Sequence, residues 1–233
     1  MLAAIIVAAG SSRRMGFDKI FAPLNGKPVL SYSLAAFQAC PDVVDILVVT
    51  REDRVAEVEA LAKAEGITKF RGTVEGGAER HLSVWNGLRV IDSERIRHVA
   101  IHDAARPLVT PKLIGECLAL AREHGAACCA SPVPDTVKRA SYELMVTDSI
   151  DRQGLWAMQT PQVFSSVLIV QAYASLIAHN ELVTDEVSAV QKLGKRVALL
   201  PNDDYNFKIT FARDLPLAEQ VLDIRAAKER ASA

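Results

Sequence analysis

The sequence predicts an α/β protein with a mostly parallel sheet covered by helices on both faces. Two observations carry this expectation. First, short apolar runs rich in β-branched residues alternate with amphipathic helical patterns along most of the chain. Runs that stay apolar without alternating fit strands buried on both faces, and helices between them supply the crossovers of a parallel sheet. Second, the 233 residues are 50 % hydrophobic and 24 % charged. That composition is ordinary for a globular protein, excludes long disorder and suits one domain spanning 1–233. One stretch, at about 135–164, breaks the alternation and predicts a protruding β-arm.

The elements follow in order. Residues 3–9 form a β-rich run, and residues 28–39 a helix with Leu30, Leu34 and Phe37 at helical spacing. Residues 45–50 (DILVVT) read as a strand, 53–65 as an amphipathic helix stopped by Gly66, and 70–75 as a short strand. A helix over 79–91 aligns Leu82, Trp85 and Leu88, and 98–102 (HVAIH) is the next strand. Thr110 and Pro111 form an N-cap and N1 pair that opens a helix to about residue 124. Residues 126–133 are a buried run. The polar β-formers that follow (TVKR, YELMVTDSID) carry no helical stripe. An isolated hairpin is marginal in water, so this arm is expected to pack on another subunit. Helices over 167–179 and 185–193 come next, the second with Thr184 as its expected N-cap. Strands at 196–200 and 206–210 precede a last helix from about residue 212.

Charge and cysteine usage narrow the function. Twenty-seven basic and 28 acidic side chains leave a net charge of −1, so no basic excess points to nucleic acid. Cys40, Cys117, Cys128 and Cys129 are too few for a disulfide framework and show no CxxC spacing. They fit core packing in a reducing compartment, the cytoplasm. The apolar opening (MLAAIIVAAG) lacks basic residues ahead of it and falls short of the ~18 residues of a membrane span. It reads as a buried strand, and no membrane association is expected.

Parallel sheets bind ligands at the carboxyl ends of their strands, which directs attention to the loops there. The first strand leads into AAGSSRRMG, followed by Lys19. Gly10 permits a tight turn, exposed N–H groups after it make an anion site, and Arg13, Arg14 and Lys19 add positive charge. This is neither a P-loop nor a GxGxxG loop, and it predicts a phosphate site. HDAARP (102–107) ends another buried strand. There Asp103 could ligate Mg²⁺ beside a phosphate, or could form only a local ion pair with Arg106; residue types alone favour neither. His102 reads as a hydrogen-bonded structural residue. Arg152, Lys208 and the TDE segment (184–186) read, by composition alone, as a solvated arginine, an edge lysine and a helix cap.

Taken together and in order, AAGSSRRMG, Lys19, GGAERHLSV (76–84), HDAARP, PDTVKR (134–139), DRQGLW (151–156), QTPQVF (159–164), TDE and NFKIT (206–210) resemble the 2-C-methyl-D-erythritol 4-phosphate cytidylyltransferases. The resemblance implies a Rossmann-like nucleotidyltransferase fold and a homodimer clasped through the β-arm. It implies Mg²⁺-dependent transfer of CMP from CTP to 2-C-methyl-D-erythritol 4-phosphate, releasing diphosphate, in non-mevalonate isoprenoid synthesis. By the same resemblance, Arg14 and Lys19 stabilise the transition state, and Arg152 and Lys208 position the acceptor phosphate. Asp103, Arg106, Thr136, Thr160 and Thr184 line the polyol and phosphate sites, and Gly77 and Ser83 lie near the cytidine. The chain departs from the family's usual pattern at Ser12, where a second Gly is usual, and at Asp18 and Ile20, where Pro and Gln are usual. Two other readings are a ribitol-phosphate-type polyol cytidylyltransferase, from which DRQGLW and TDE differ, and a non-catalytic nucleotide-binding regulator. Arg14, Lys19, Arg152 and Lys208 argue against the latter.

Overall fold

The computed structural model describes residues 1–10 and 15–232. Its strands are β1 (Leu2–Val7), β2 (Pro23–Leu24), β3 (Lys27–Pro28), β4 (Val43–Thr50), β5 (Phe70–Glu75), β6 (His98–Asp103), β7 (Ala126–Pro132), β8 (Val137–Ala140), β9 (Val146–Ile150), β10 (Trp156–Ser165) and β11 (Ala198–Pro201). Its α-helices are α1 (Val29–Ala39), α2 (Val55–Ala64), α3 (Arg80–Leu88), α4 (Pro111–His124), α5 (Ser166–Ala178), α6 (Glu186–Lys192) and α7 (Asp214–Ser232).

Seven strands form one sheet in the order β11-β7-β10-β6-β1-β4-β5. β1 pairs in parallel with β4 on one side and β6 on the other, placing Ile5 opposite both Leu47 and Ile101. Side chains alternate across β1. Leu2, Ala4 and Ile6 pack with Leu34 and Phe37 of α1, Val58 of α2 and Leu118 of α4. Ala3 and Ile5 pack on the other face with Val84 of α3 and Ile169 and Tyr173 of α5. Both faces are thus covered, as the unbroken apolar runs predict. Cys128 and Cys129 are neighbours in β7 and enter opposite faces of the core.

Several local expectations need correcting. Residues 156–165 belong to the sheet: β10 runs antiparallel between β6 and β7, with Val163 and Phe164 fully buried. The excursion is therefore narrower than 135–164, and its ladder is β8 against β9. The buried end of β10 pairs within the core, while the partly exposed beginning (WAMQ) and the polar Thr160 and Gln162 leave it without an unbroken apolar run. Residues 206–210 form no strand; they run as a loop tied by the Ile209 N–H to the Ala105 carbonyl at 2.8 Å. The N-cap of α6 is Asp185, whose carboxylate accepts from the Ser188 N–H at 3.0 Å, so Thr184 lies one residue too early. Thr110 does cap α4, accepting from the Leu113 N–H at 3.2 Å.

The strand order reverses around β1: β4 and β5 lie to one side, β6 to the other. Such a switch leaves a crevice at the carboxyl ends of β1 and β6.

Candidate active site

A cavity of about 330 Å³ fills that crevice. It is lined by Val7–Gly10 after β1, Lys19 and Ile20, Gly77–Arg80 and Ser83 at the start of α3, Asp103 and Ala105 after β6, and Lys208. Its size falls in the range of small-molecule sites. Of the expected site residues, Gly10, Lys19, Gly77, Ser83, Asp103 and Lys208 meet here, drawn from both ends of the chain.

The amino-terminal rim is set by two anchors. Ile20 is buried in the core beside α1, which holds the neighbouring Lys19 at the cavity edge. The Lys19 ammonium donates to the Ile209 carbonyl at 3.1 Å. Asp18 is turned away, its Oδ2 pairing with Arg51 at 3.0 Å and Arg54 at 3.2 Å. The charge of Asp18 is therefore taken up outside the cavity. Arg51 also reaches the Gly10 carbonyl at 3.4 Å, so one guanidinium touches both Gly10 and Asp18. Arg13 and Arg14 lie outside the described residues.

On the second rim, the Gly77 N–H donates to the Ser83 hydroxyl oxygen at 3.0 Å, and that hydroxyl donates to the Glu79 carbonyl at 3.1 Å. A Cβ on Gly77 would sit 2.4 Å from the Leu82 Cβ, far inside van der Waals contact. Glycine is required there because the loop folds tightly onto the start of α3. Ser83 braces that loop, so the cavity wall is backbone.

The floor is ionic. Asp103 Oδ1 accepts from Arg80 Nε at 3.2 Å and Nη2 at 3.1 Å, and Oδ2 accepts from Lys208 at 2.8 Å. The expected local partner Arg106 is the most distant, at 3.9 Å. Arg106 is committed elsewhere, donating to the Asn206 carbonyl at 2.7 Å and the Met158 carbonyl at 3.3 Å. Burial by itself would raise the Asp103 pKa. Arg80 and Lys208 outweigh it and hold the carboxyl well below the usual aspartate range. Thr160 accepts from the Asp103 N–H at 3.1 Å and lies 3.0 Å from His102 Nδ1, while His102 Nε2 lies 3.2 Å from the Arg106 carbonyl. Thr160 thus sits beneath the site as a support. His102 is fully buried, and burial pushes its pKa down to about 3. It is a neutral structural imidazole.

Among the described residues, five expected ones do not line the cavity: Arg106 and Thr160, placed beside its floor, and Thr136, Arg152 and Thr184. Thr136 and Thr184 are exposed. Arg152 is exposed as well, and donates to the Pro134 carbonyl at the base of the arm. Two residues escaped sequence reasoning, Arg80 and Glu186. Glu186 passed for a helix-opening acid. Arg80 had a detectable signal, because a cation in the first turn of a helix opposes the macrodipole and needs a reason to be there.

Among the described residues no three His, Cys, Asp or Glu side chains are grouped to hold a metal. Both oxygens of Asp103, the expected ligand, are already engaged by cations.

A cavity lined by Lys19, Arg80 and Lys208 at the switch point of a mostly parallel sheet is the ligand crevice of a Rossmann-like fold, and the solved structures that the chain resembles place that fold among the nucleotidyltransferases. A sequence model described as "IspD: 2-C-methyl-D-erythritol 4-phosphate cytidylyltransferase" matches residues 2–224. The chain belongs to that family. A protein of that name from Symbiobacterium thermophilum is 42 % identical over 225 residues, covering 95 % of this chain and 93 % of that one. One from Caldanaerobacter subterraneus is 41 % identical over 225 residues, covering 95 % and 98 %. The crystal structure of 4-diphosphocytidyl-2C-methyl-D-erythritol synthase from Anaerococcus prevotii superposes with a TM-score of 0.83 at 27 % identity, covering 96 % of each chain. No helix among the described residues is long and apolar enough to cross a membrane.

Proposed function

We propose that this cavity carries out the family's reaction, with CTP as donor and 2-C-methyl-D-erythritol 4-phosphate as acceptor. An oxygen of the acceptor phosphate attacks the α-phosphorus of CTP; that bond forms, the α–β anhydride bond breaks, and diphosphate leaves. No protein nucleophile is needed, because the phosphate monoester is itself the nucleophile. The protein contributes positioning and charge. The observation that carries this reading is the meeting of Lys19 and Lys208, from opposite ends of the chain, at one cavity.

In this reading the Gly10 loop, with Arg13, Arg14 and Lys19, takes the triphosphate, and Gly77 and Ser83 face the nucleoside. Lys208, Arg106, Thr160 and Asp103 serve the acceptor side. Arg152, Thr136 and Thr184 complete that side in a homodimer, Arg152 and Thr136 coming from a partner's arm. Any Mg²⁺ requirement belongs to the triphosphate oxygens, which suit Mg²⁺ better than a carboxylate already paired with lysine and arginine. The setting is cytoplasmic, supported by four free, buried cysteines.

The test is diphosphate release from CTP with methylerythritol phosphate and, separately, ribitol phosphate. Turnover with the first and little with the second is expected. Lys19→Ala should lower turnover by about two orders of magnitude, the scale of one lost oxyanion contact. Preference for ribitol phosphate would overturn the acceptor, and near wild-type turnover by Lys19→Ala would overturn the role of Lys19.

A further inference from the structure

Arg80 stands between two carboxylates in different surroundings. Toward the cavity it donates two N–H groups to Asp103 Oδ1, at 3.1 and 3.2 Å. Toward the core it forms a bidentate pair with Glu186, Nη1–Oε1 at 2.6 Å and Nη2–Oε2 at 3.1 Å. Glu186 is 0 % exposed. The Tyr173 hydroxyl donates to its Oε1 at 3.0 Å, and the Tyr173 ring stacks on Trp85, one turn and a half along the helix that Arg80 opens. A buried, uncompensated carboxylate is costly, so Glu186 needs Arg80. Glu186 alone could have satisfied Arg80, yet the guanidinium also lines the cavity and spans to Asp103.

The other oxygen of Asp103 holds Lys208 at 2.8 Å. Lys208 has three donors, but its one charge is divided once it also serves the acceptor phosphate, and Asp103 then depends on its other cation, Arg80. We propose that Arg80 is a positioning residue that keeps Asp103 compensated and in place while Lys208 turns to the acceptor phosphate, and that Glu186, seated by Tyr173, holds Arg80 at that post. This rests on the cytidylyl transfer proposed above. Arg80 joins α3 to α6 through Glu186, so the start of α6 is coupled to the acceptor side of the cavity. Without Arg80, Lys208 becomes the main partner of Asp103, and the incoming phosphate must compete with that carboxylate for it.

Steady-state kinetics of the full chain test this, with wild-type turnover of CTP and methylerythritol phosphate established first. Absence of wild-type turnover would defeat the function proposed above, and is thereby separable from failure at Arg80. With wild-type turnover in hand, Arg80→Met should raise KM for the acceptor about tenfold or more while KM for CTP moves less than about twofold. Arg80→Lys should recover part of the loss, and Glu186→Gln should shift acceptor KM in the same direction. If Arg80→Met fails to fold, Arg80→Lys, Glu186→Gln and Tyr173→Phe carry the same comparison. An unchanged acceptor KM in folded variants, or equal rises in both KM values, would make Arg80 a purely structural ion pair and overturn the proposal.

Discussion

The cavity floor and the β-arm use similar residue types in opposite physical situations. On the floor, Asp103, Arg80, Lys208 and Glu186 are held by one another and by β6, α3 and α6, and each charge has a counter-charge within about 3 Å. On the arm, the β8–β9 ladder carries Tyr142, Leu144, Met145 and Val146 at or near its tip, all largely exposed, and Arg152 at its base donates to a backbone carbonyl. The floor is positioned by the packing of its own subunit. A two-stranded ladder with exposed apolar side chains needs a second surface before its residues have a place. The difference separates residues that the packing of this chain holds in place from residues that it leaves exposed.

The strongest way to break this comparison is subunit mixing. With Arg152 acting in a partner's cavity and Lys19 in its own, Lys19→Ala and Arg152→Ala homodimers should each be nearly inactive. In a mixed dimer both lesions fall in one composite site, leaving the other intact. Random exchange should therefore restore about one quarter of wild-type activity, because half the dimers are mixed and each has one working site. No recovery, with exchange verified by differently tagged subunits, would put Arg152 on the same footing as the floor.

A smaller effect sharpens the floor side. Gly77→Ala places a methyl group 2.4 Å from Leu82 Cβ, so the loop must shift. It should destabilise the fold by about 1–3 kcal/mol, the usual cost of overpacking, and raise KM for CTP. Denaturant melts and CTP titration measure the two effects. A variant with unchanged melts and unchanged KM would mean that the cavity wall is less tightly built than its backbone contacts indicate.

An effect of comparable size is acid sensitivity, centred on His102 beneath the floor. His102 is buried neutral with its pKa pushed down to about 3, against about 6.5 in an unfolded chain. The unfolded state binds the extra proton, so stability is complete above about pH 6.5 and falls as pH drops from there toward 3. Between pH 7.5 and 5 the loss should be on the order of 2 kcal/mol. Burial lowers the His98 pKa too, and adds in the same direction. Asp103, held below the usual aspartate range, contributes stability that is present above about pH 4 and lost below it. Guanidinium midpoints across this range give the slope, and His102→Gln should flatten it; an unchanged slope would mean that His102 titrates normally in the fold.

Much of the molecule was legible because its signals are local. Strands β1, β4 and β6 show as apolar runs, since burial on both faces leaves no polar alternation. Thr110 with Pro111 marks the start of α4 through side-chain and backbone chemistry confined to one turn. Lys19 and Asp103 follow apolar strand runs in the sequence, and both line the cavity at the strand ends. Each of these depends on neighbours a few residues away, so the one-dimensional pattern contains it.

Tertiary structure decided what depends on distant partners. Whether Asp103 pairs with Arg106, three residues on, or with Arg80 and Lys208 is a contest among cations, and the sheet settles it by where it delivers each one. The antiparallel insertion of β10 between β6 and β7 depends on which strands are left with unpaired edges, and no property of residues 156–165 alone expresses that. Glu186 reads as a helix-opening acid until α5 brings Tyr173 and α3 brings Arg80 against it. Local propensity is set by each residue and its near neighbours, whereas the partner of a buried charge is set by the whole fold, because only complete burial makes the choice of partner matter.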